Sequence, residues 1–425
     1  MRPPFFPVRR DYKSLSSYFP KGTQFFYGYP SGDSSDFLNL VPPYVEELVA
    51  ARVVCCAGND VSPVCFKATT THAIHSVTLD ALGIPRESSK AVVLPDSIDV
   101  LLCGAERNAA VKEALKHMLR PKSFVMAQPY LDEELADFYQ IKPSVTAYFN
   151  DKHNMPEYIG AQWLPKRLYA YDNGKAFAES KVKIALPAVI KVSASSSGDG
   201  VCICKKPSDV TKAIERLQYA SGRIIVEEHI DFQKSYGVHF GIPADRKQPP
   251  DLIGVNEQIV TINGEFLGGI IEDFAVPPAL EGAVDHLMRF ILPRVRARGW
   301  HGIGGFDVLV DSHGKAFFID ANFRMTGMSA YHFMIHRGVI KRPMMSVLGE
   351  FEGSEEELLE TLGRFANPMS NQRFLKLICL SRHENTWRFN GALEYTNELQ
   401  LLERVKMLLD SGIRSSVLDA VLQTA

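Results

Sequence analysis

Asp307, Asp320, Asn322 and Arg324 are the residues whose types and spacing most plainly could do chemistry in this chain. Phe317 to Arg324 begins as an apolar run, and a strand sends alternate side chains to one face, so Asp320, Asn322 and Arg324 share a side. Gly305 to Asp311 reads as a second strand. Between them, Ser312-His313-Gly314-Lys315 is a four-residue connection with Gly placed for a tight turn, so the two strands form a hairpin. Across such a pair, Asp307 and Asp320 can converge on one hard cation, because Mg²⁺ takes carboxylate and carbonyl oxygens and completes its shell with phosphates and water. Arg324 then faces those phosphates. For either aspartate alone, a solvated strand face is the commoner outcome; the combination is what points to Mg-nucleotide chemistry.

Two upstream segments could serve the same chemistry. Leu186 to Val192 leads into Ser193-Ala194-Ser195-Ser196-Ser197-Gly198-Asp199-Gly200 and then Val201-Cys202-Ile203, a strand, small-residue loop and strand. Side chains this small let the backbone approach a phosphate and offer N–H groups and hydroxyls, with Lys191 as a mobile cation beside them. Alone, such a loop is more often an ordinary flexible hairpin tip, and Asp199 opposes anion binding unless it points outward. Arg223 to Ile230 has the β-branched run of a buried strand ending in Glu227-Glu228-His229, whose backbone could read an adenine edge.

In this order, the segments resemble the ATP-grasp superfamily over about 190 residues. The resemblance implies that Lys152 and Lys191 are the two nucleotide lysines, and that Ser193 to Gly200, with Ser196, Ser197, Gly198 and Gly200 at its core, closes over the γ-phosphate. It implies that Glu227, Glu228 and Ile230 form the adenine hinge, and that Asp307, Asp320 and Asn322 hold one or two Mg²⁺ ions. Arg324 would contact the transferring phosphate and the acyl phosphate, and Gln258 would face the acceptor site. Two departures stand out. Asp320 occupies a position where the family usually has Glu, and where many members place a Glu for the ribose, this chain offers Gln233, Lys234 or Ser235. The resemblance is nearest to stand-alone amino-acid and peptide ligases of secondary metabolism. It implies an ATP-dependent carboxylate-amine ligase that forms an amide through an acyl phosphate and releases ADP and phosphate. Its cofactors would be ATP and Mg²⁺, and its partners small-molecule carboxylates and amines, with a homodimer as the default assembly. The rivals are an ATP-grasp kinase and a non-catalytic ATP-sensing or scaffold protein; a biotin-dependent carboxylase is disfavoured, since no biotinyl-lysine segment is evident.

The rest of the chain frames these elements. Length, 425 residues, allows two to four domains, and 46% hydrophobic with 23% charged residues is ordinary globular composition. Nothing approaches the apolar length of a membrane span, and prolines and arginines interrupt any signal-peptide core within Met1 to Arg10. A net charge of −2 gives no basic field for nucleic acid. Seven scattered cysteines read as reduced thiols, so a cytoplasmic location is expected. No P-loop, dinucleotide fingerprint or H-E-x-x-H is present, and His72 with His75 reads as a helix-surface or core feature. Gly302 to Gly305 reads as close packing before the Asp307 strand.

The expected fold class is therefore α/β. Residues 1–149 form an α/β pre-ATP-grasp-like domain, with strands at Arg52 to Ala57, Ala91 to Leu94 and Ser123 to Ala127 and a helix over Ala109 to Leu119. Residues 150–345 form a two-lobed ATP-grasp domain, with the small lobe over about 150–225 and the large lobe over about 226–345. Residues 346–425 form a small α+β region with a strand at Phe374 to Leu380 and helices near Glu355 and from Asn397 to Leu409.

Overall fold

The computed structural model describes residues 13–28, 43–66, 78–84, 91–95, 104–194, 200–261, 263–273 and 275–424. His72, His75, Met1 to Arg10 and the loop residues Ser196, Ser197 and Gly198 lie outside them.

At the front, four short strands, β1 (Thr23–Phe26), β2 (Val61–Phe66), β3 (Val92–Leu94) and β4 (Phe124–Met126), form a parallel sheet in the order β3-β2-β1-β4. All four residues of β1 are buried, as a central parallel strand covered on both faces requires. The helix Gly104–Met118 packs on it through Val111 and Leu115. The strand expected at Arg52 to Ala57 is corrected: after the helix Pro43–Ala51 the chain coils on through turns, Val53 and Val54 donating to the carbonyls of Ala50 and Ala51 and Cys56 to that of Val53. The apolar run is buried, but its backbone bonds are local, and a short apolar run does not by itself distinguish the two outcomes.

The next unit is antiparallel. Strands β5 (Arg167–Tyr171), β6 (Ala188–Val192), β7 (Val201–Cys204) and β8 (Ile224–Glu228) pair in the order β5-β8-β6-β7. One face is covered by the helix Pro207–Leu217, which starts with Pro at its first turn and with the Asp209 carboxylate accepting the Lys205 and Lys206 amides. Its Ala213 and Leu217 pack against Ile190, Val192, Ile224 and Val226.

The largest sheet contains β9 (Phe232–Ile242), β10 (Asp251–Val260), β11 (Phe266–Ile271), β12 (Gly302–Asp311), β13 (Ala316–Asn322), β14 (Met344–Glu352), β15 (Leu375–His383) and β16 (Thr386–Glu394). The order is β13-β12-β9-β10-β11-β14-β16-β15, antiparallel throughout. The expected C-terminal strands and helices are present, and their strands are hydrogen-bonded into this sheet. Helix Glu355–Ala366 is capped by Ser354 with Glu357, and Glu398–Asp410 by Asn397.

Phe323 ties the hairpin to the core. It is buried among Phe149 (ring centroids 4.8 Å), Trp300 (5.0 Å), Phe240 (5.5 Å) and Phe306 (5.7 Å), and its amide donates to Asn150 Oδ1 at 2.7 Å. Gly304 lets the strands close in as expected: a Cβ there would fall 2.6 Å from the Phe240 ring and 2.7 Å from the Asn322 carbonyl.

Candidate active site

The β12–β13 register places Asp307 directly opposite Asp320. The turn between them is set by Asp311, whose carboxylate accepts the His313 and Lys315 amides, and by Gly314 at φ +77°. Past Asp320 the register slips, so that Val308 faces Phe318 and Ile319 is an inserted residue. Such a bulge re-aims side chains: Ile319, Asp320, Asn322 and Arg324 all border one cavity. Ser235 on β9 donates to Gln258 Oε1 at 2.7 Å, and Gln258 Nε2 on β10 donates to Asp307 Oδ1 at 2.7 Å. Burial and the facing Asp320 carboxylate push the Asp307 carboxyl up to about 7. Two confined carboxylates with the Asn322 carboxamide beside them form an oxygen donor set that fits a hard divalent cation.

Both lysines are fastened to this hairpin. Lys152 Nζ lies 3.1 Å from Asp320 Oδ1, and its amide donates to the Ser193 carbonyl at the root of the serine-rich loop. Lys191 Nζ on β6 donates to the Ile319 carbonyl at 3.0 Å and pairs with Glu227 at 2.7 Å, bridging the small sheet to the hairpin. Arg167 reaches Glu227 from the other side at 3.2 Å and also donates to the Lys152 and His153 carbonyls. Burial works to raise the Glu227 carboxyl, but Lys191 and Arg167 hold it below the usual range. Glu227 thus serves as a charge partner near the end of β8, with Glu228, His229 and Ile230 continuing along the cavity edge.

The cavity measures about 490 Å³, within the range of small-ligand sites. Val189 and Ile203 of the small sheet and Leu309 and Ile319 of the hairpin line the same cavity and give it apolar surface suited to a flat base. At the far end stand His239, Asn256, Thr326, Met328 and Tyr331, together with Tyr27 and Arg52 of the front domain and Ser346 and Asn390 of the C-terminal region. Burial drives the His239 imidazole down to about 4, so it is neutral at physiological pH. Its Nε2 lies 2.7 Å from Asn256 Oδ1 and its Nδ1 3.2 Å from Thr326 Oγ1. With the proton on Nε2, both contacts are hydrogen bonds.

Lys152, Lys191, Glu227, Glu228, Ile230, Gln258, Asp307, Asp320, Asn322 and Arg324 all border the one cavity. Gln233 and Lys234 do not: both are exposed, and Lys234 pairs with Glu257 at 2.6 Å. Register again decides, because Lys234 faces Val310 while Phe232 faces Asp311, leaving Gln233 as an extra residue; Phe232 and Ser235 border the cavity instead. Gly200, at φ +72°, returns the serine-rich loop into β7. Sequence reasoning missed this apolar surface, whose signal was the alternation Val189/Lys191 and Val201/Ile203 on adjacent strands. It also missed the far end, whose residues come from three distant stretches and left no local signal.

Residues 165–322, from β5 through Asn322, match the family described as L-aspartate--L-methionine ligase, ATP grasp. The formate-dependent phosphoribosylglycinamide formyltransferase of Vibrio vulnificus (strain YJ016) is 36% identical over 90 residues, 18% of this chain and 23% of that protein. The D-alanine--D-alanine ligase of Pelobacter propionicus is 24% identical over 173 residues, 41% of this chain and 54% of that protein. The chain thus spans from about a quarter to about half the length of these curated relatives. Among solved structures, the ADP complex of an N5-carboxyaminoimidazole ribonucleotide synthetase aligns with TM-score 0.58 at 13% identity, covering 93% of this chain and 98% of that one. An L-amino acid ligase from Bacillus licheniformis aligns with TM-score 0.52 at 13% identity, covering 93% and 98%. Residues 165–322 are thus similar to an ATP-grasp ligase family, and most of the chain shares its fold with these two solved structures.

Proposed function

We propose that the protein is an ATP-dependent carboxylate-amine ligase. The observation that carries this reading is that one cavity is bordered by apolar residues of both sheets, by two facing carboxylates and two lysines, and by further polar side chains including His239, Asn256 and Thr326. A protein that only senses ATP needs the apolar surface and the lysines; it does not need the further polar side chains.

In the reaction, a substrate carboxylate oxygen attacks the γ-phosphorus, the bond from that phosphorus to the bridging oxygen breaks, and ADP leaves. The amine then attacks the acyl carbon, the carbon–oxygen bond to phosphate breaks, and the amine loses a proton. Asp307, Asp320 and Asn322 would hold Mg²⁺, which when bound neutralises phosphate charge. Lys152 and Lys191 add positive charge where two anions must approach, the electrostatic demand that dominates phosphoryl transfer. Arg324, beside Asn322, is placed to meet the phosphate as it transfers and leaves. The pull of Arg324 and Lys152 on Asp307 puts all three in one electrostatic neighbourhood. An acyl phosphate would need shielding from water, which closure of the cavity around bound substrates would supply. The substrates are small molecules, a carboxylate and an amine, in keeping with the size of the cavity.

The test is release of ADP and free phosphate from Mg-ATP with pooled carboxylates and pooled amines, using Asn322→Ala as control. Equimolar ADP and phosphate that require both pools support the ligase. ADP without free phosphate indicates a kinase, and ATP binding without turnover refutes an enzyme.

A further inference from the structure

Hydrogen-bond polarity runs in one direction along a chain of side chains that ends at the cavity. The chain starts at Asn256 on β10, which is 2% exposed. Its Nδ2 donates to the Glu257 carbonyl at 3.1 Å, so its Oδ1 is the atom that meets His239 Nε2 at 2.7 Å. An amide oxygen only accepts, so Nε2 carries the imidazole proton. The ring is neutral, because burial drives it down to about 4, and Nδ1 is therefore a bare lone pair. Thr326 Oγ1 lies 3.2 Å from Nδ1 and must give its proton to it. Ser329 Oγ accepts the Thr326 amide at 2.9 Å and stands 3.1 Å from Thr326 Oγ1, to which its own proton donates.

Close packing holds this arrangement. A Cβ on Gly237 of β9 would fall 2.8 Å from Asn256 Oδ1 and 3.0 Å from His239 Nε2, and one on Gly305 of β12 would fall 3.2 Å from His239 Nδ1. His332 lies against His239 with ring centroids 4.6 Å apart, and burial lowers it too, so it brings no charge to its neighbour. His239 and Asn256 are buried, whereas Thr326, which also borders the cavity, is half-buried. A hydroxyl oxygen has two lone pairs; Ser329 occupies one of those on Thr326, and one is left for a ligand. With its proton already committed, Thr326 can accept from that ligand and cannot donate to it. A carboxylate or phosphate oxygen would meet it lone pair against lone pair, so the group it suits carries an N–H or O–H. Thr326 follows Arg324 by two residues, which sets such a group beside the residue placed to meet the transferring phosphate.

We propose that Thr326 Oγ1 accepts a hydrogen bond from the attacking amine, and that His239 and Asn256 are positioning residues that fix the sense of that bond. This assignment rests on the ligase reading. An amine must turn its lone pair to the acyl carbon, so its N–H bonds need acceptors that hold it in that attitude. A neutral oxygen does this without favouring the ammonium form, which has no lone pair to attack with, as a carboxylate in the same place would. The N–H grows more acidic as the nitrogen–carbon bond forms, so the contact strengthens in the transition state.

The sense of the bond and its use are measured separately on the full chain. NMR of the imidazole nitrogens between pH 6 and 8 should find His239 protonated on Nε2 alone. Steady-state ADP and phosphate release is followed with Mg-ATP, the pooled carboxylates and each amine of the pool added singly. Thr326→Val, which keeps the shape and removes the oxygen, should lower kcat/KM for the amine by about 5- to 100-fold, the range for leaving one buried polar group without its partner. The KM for ATP should stay within about twofold. Thr326→Ser, which keeps the oxygen, should recover most of the loss. Stabilisation of each variant against heat by MgADP verifies its fold, and Thr326→Ala takes the place of the valine variant should that one fail to fold. A His239 proton on Nδ1 or on both nitrogens overturns the assignment while the ligase stands. So does a Thr326→Val enzyme with the wild-type constant for the amine, or one whose KM for ATP rises as much as its KM for the amine. Absence of ADP and phosphate release with every amine overturns the ligase reading and the assignment with it.

Discussion

Binding of the divalent cation should be pH-dependent across neutrality, and the cause is one carboxyl. Asp307 is pushed up to about 7 by burial and by Asp320 opposite it, and a cation needs its ionised form. With an apparent value near 7, roughly nine-tenths of the group is ionised at pH 8 and roughly one-tenth at pH 6. The dissociation constant for MgADP should therefore rise about tenfold over that interval, or about 1.4 kcal/mol. His239 and His301, both driven down to about 4 by burial, do not titrate in this window. ADP has protonations of its own, so Asp307→Asn is the reference: its carboxamide still accepts from Gln258 but cannot titrate, and the ratio of wild-type to variant constants cancels the nucleotide's contribution. Calorimetric titration at pH 6, 7 and 8 with excess Mg²⁺ gives that ratio. A ratio that stays flat from pH 6 to 8 would refute the reasoning. The same shift fixes the sign for apo stability: a carboxyl raised in the folded state favours folding below its unfolded value near 4. That contribution is lost as pH rises through about 7, so the apo protein should melt lower at pH 8 than at pH 6 and Mg²⁺ with ADP should narrow the gap.

Three further outcomes follow from the geometry. Asp320→Asn or Asn322→Ala should lower kcat by about 10²- to 10³-fold, the scale for one preorganised electrostatic partner, with the fold kept as judged by circular dichroism; near wild-type turnover would contradict the cation assignment. Glu227→Gln leaves the buried Lys191 and the half-buried Arg167 without their shared anion, so the melting temperature should fall by several degrees and ATP should recover part of it through its phosphates; unchanged melting and an unchanged KM for ATP would contradict the bridging role. Phe323→Ala removes the ring that pins Asn322 and Arg324, and should cost about 3–5 kcal/mol in denaturant unfolding along with weaker MgADP binding; a stable variant with intact affinity would show that the hairpin is positioned by other contacts.

The candidate site was legible where its residues are local. Asp320, Asn322 and Arg324 follow the two-residue period of a strand, and Asp307 is placed opposite them by a short turn, so one stretch of sequence contains both the residues and the geometry that joins them. Gln233 and Lys234 show where that logic stops: a single inserted residue on β9 turns both out to solvent, and a bulge leaves no signature in composition. The Arg52 to Ala57 run failed for a related reason, since a buried apolar hexapeptide is compatible with a strand or with coiled turns, and what decided it was a helix running into it from Pro43.

The far compartment was illegible in principle, and its construction explains why the chain needs more than its nucleotide lobes. Its wall is made by Tyr27 and Arg52 from the front domain, by His239 and Asn256 from β9 and β10, and by Ser346 and Asn390 from β14 and β16, stretches more than 300 residues apart at the extremes. No periodicity connects such positions. What connects them is the sheet order, in which β14, β16 and β15 extend the large-lobe sheet and bring Asn390 beside Arg52. If the nucleotide is held as proposed, by residues within 152–324, a change of substrate would require altering only the part of the cavity rim that the two flanking regions contribute. Exchanging Arg52 and Asn390 together, while leaving Lys191 and the hairpin untouched, should therefore change the KM for the substrates and leave the KM for ATP within about twofold. A shift in that constant as large as the shift for the substrates would show that the two ends of the cavity are not independent.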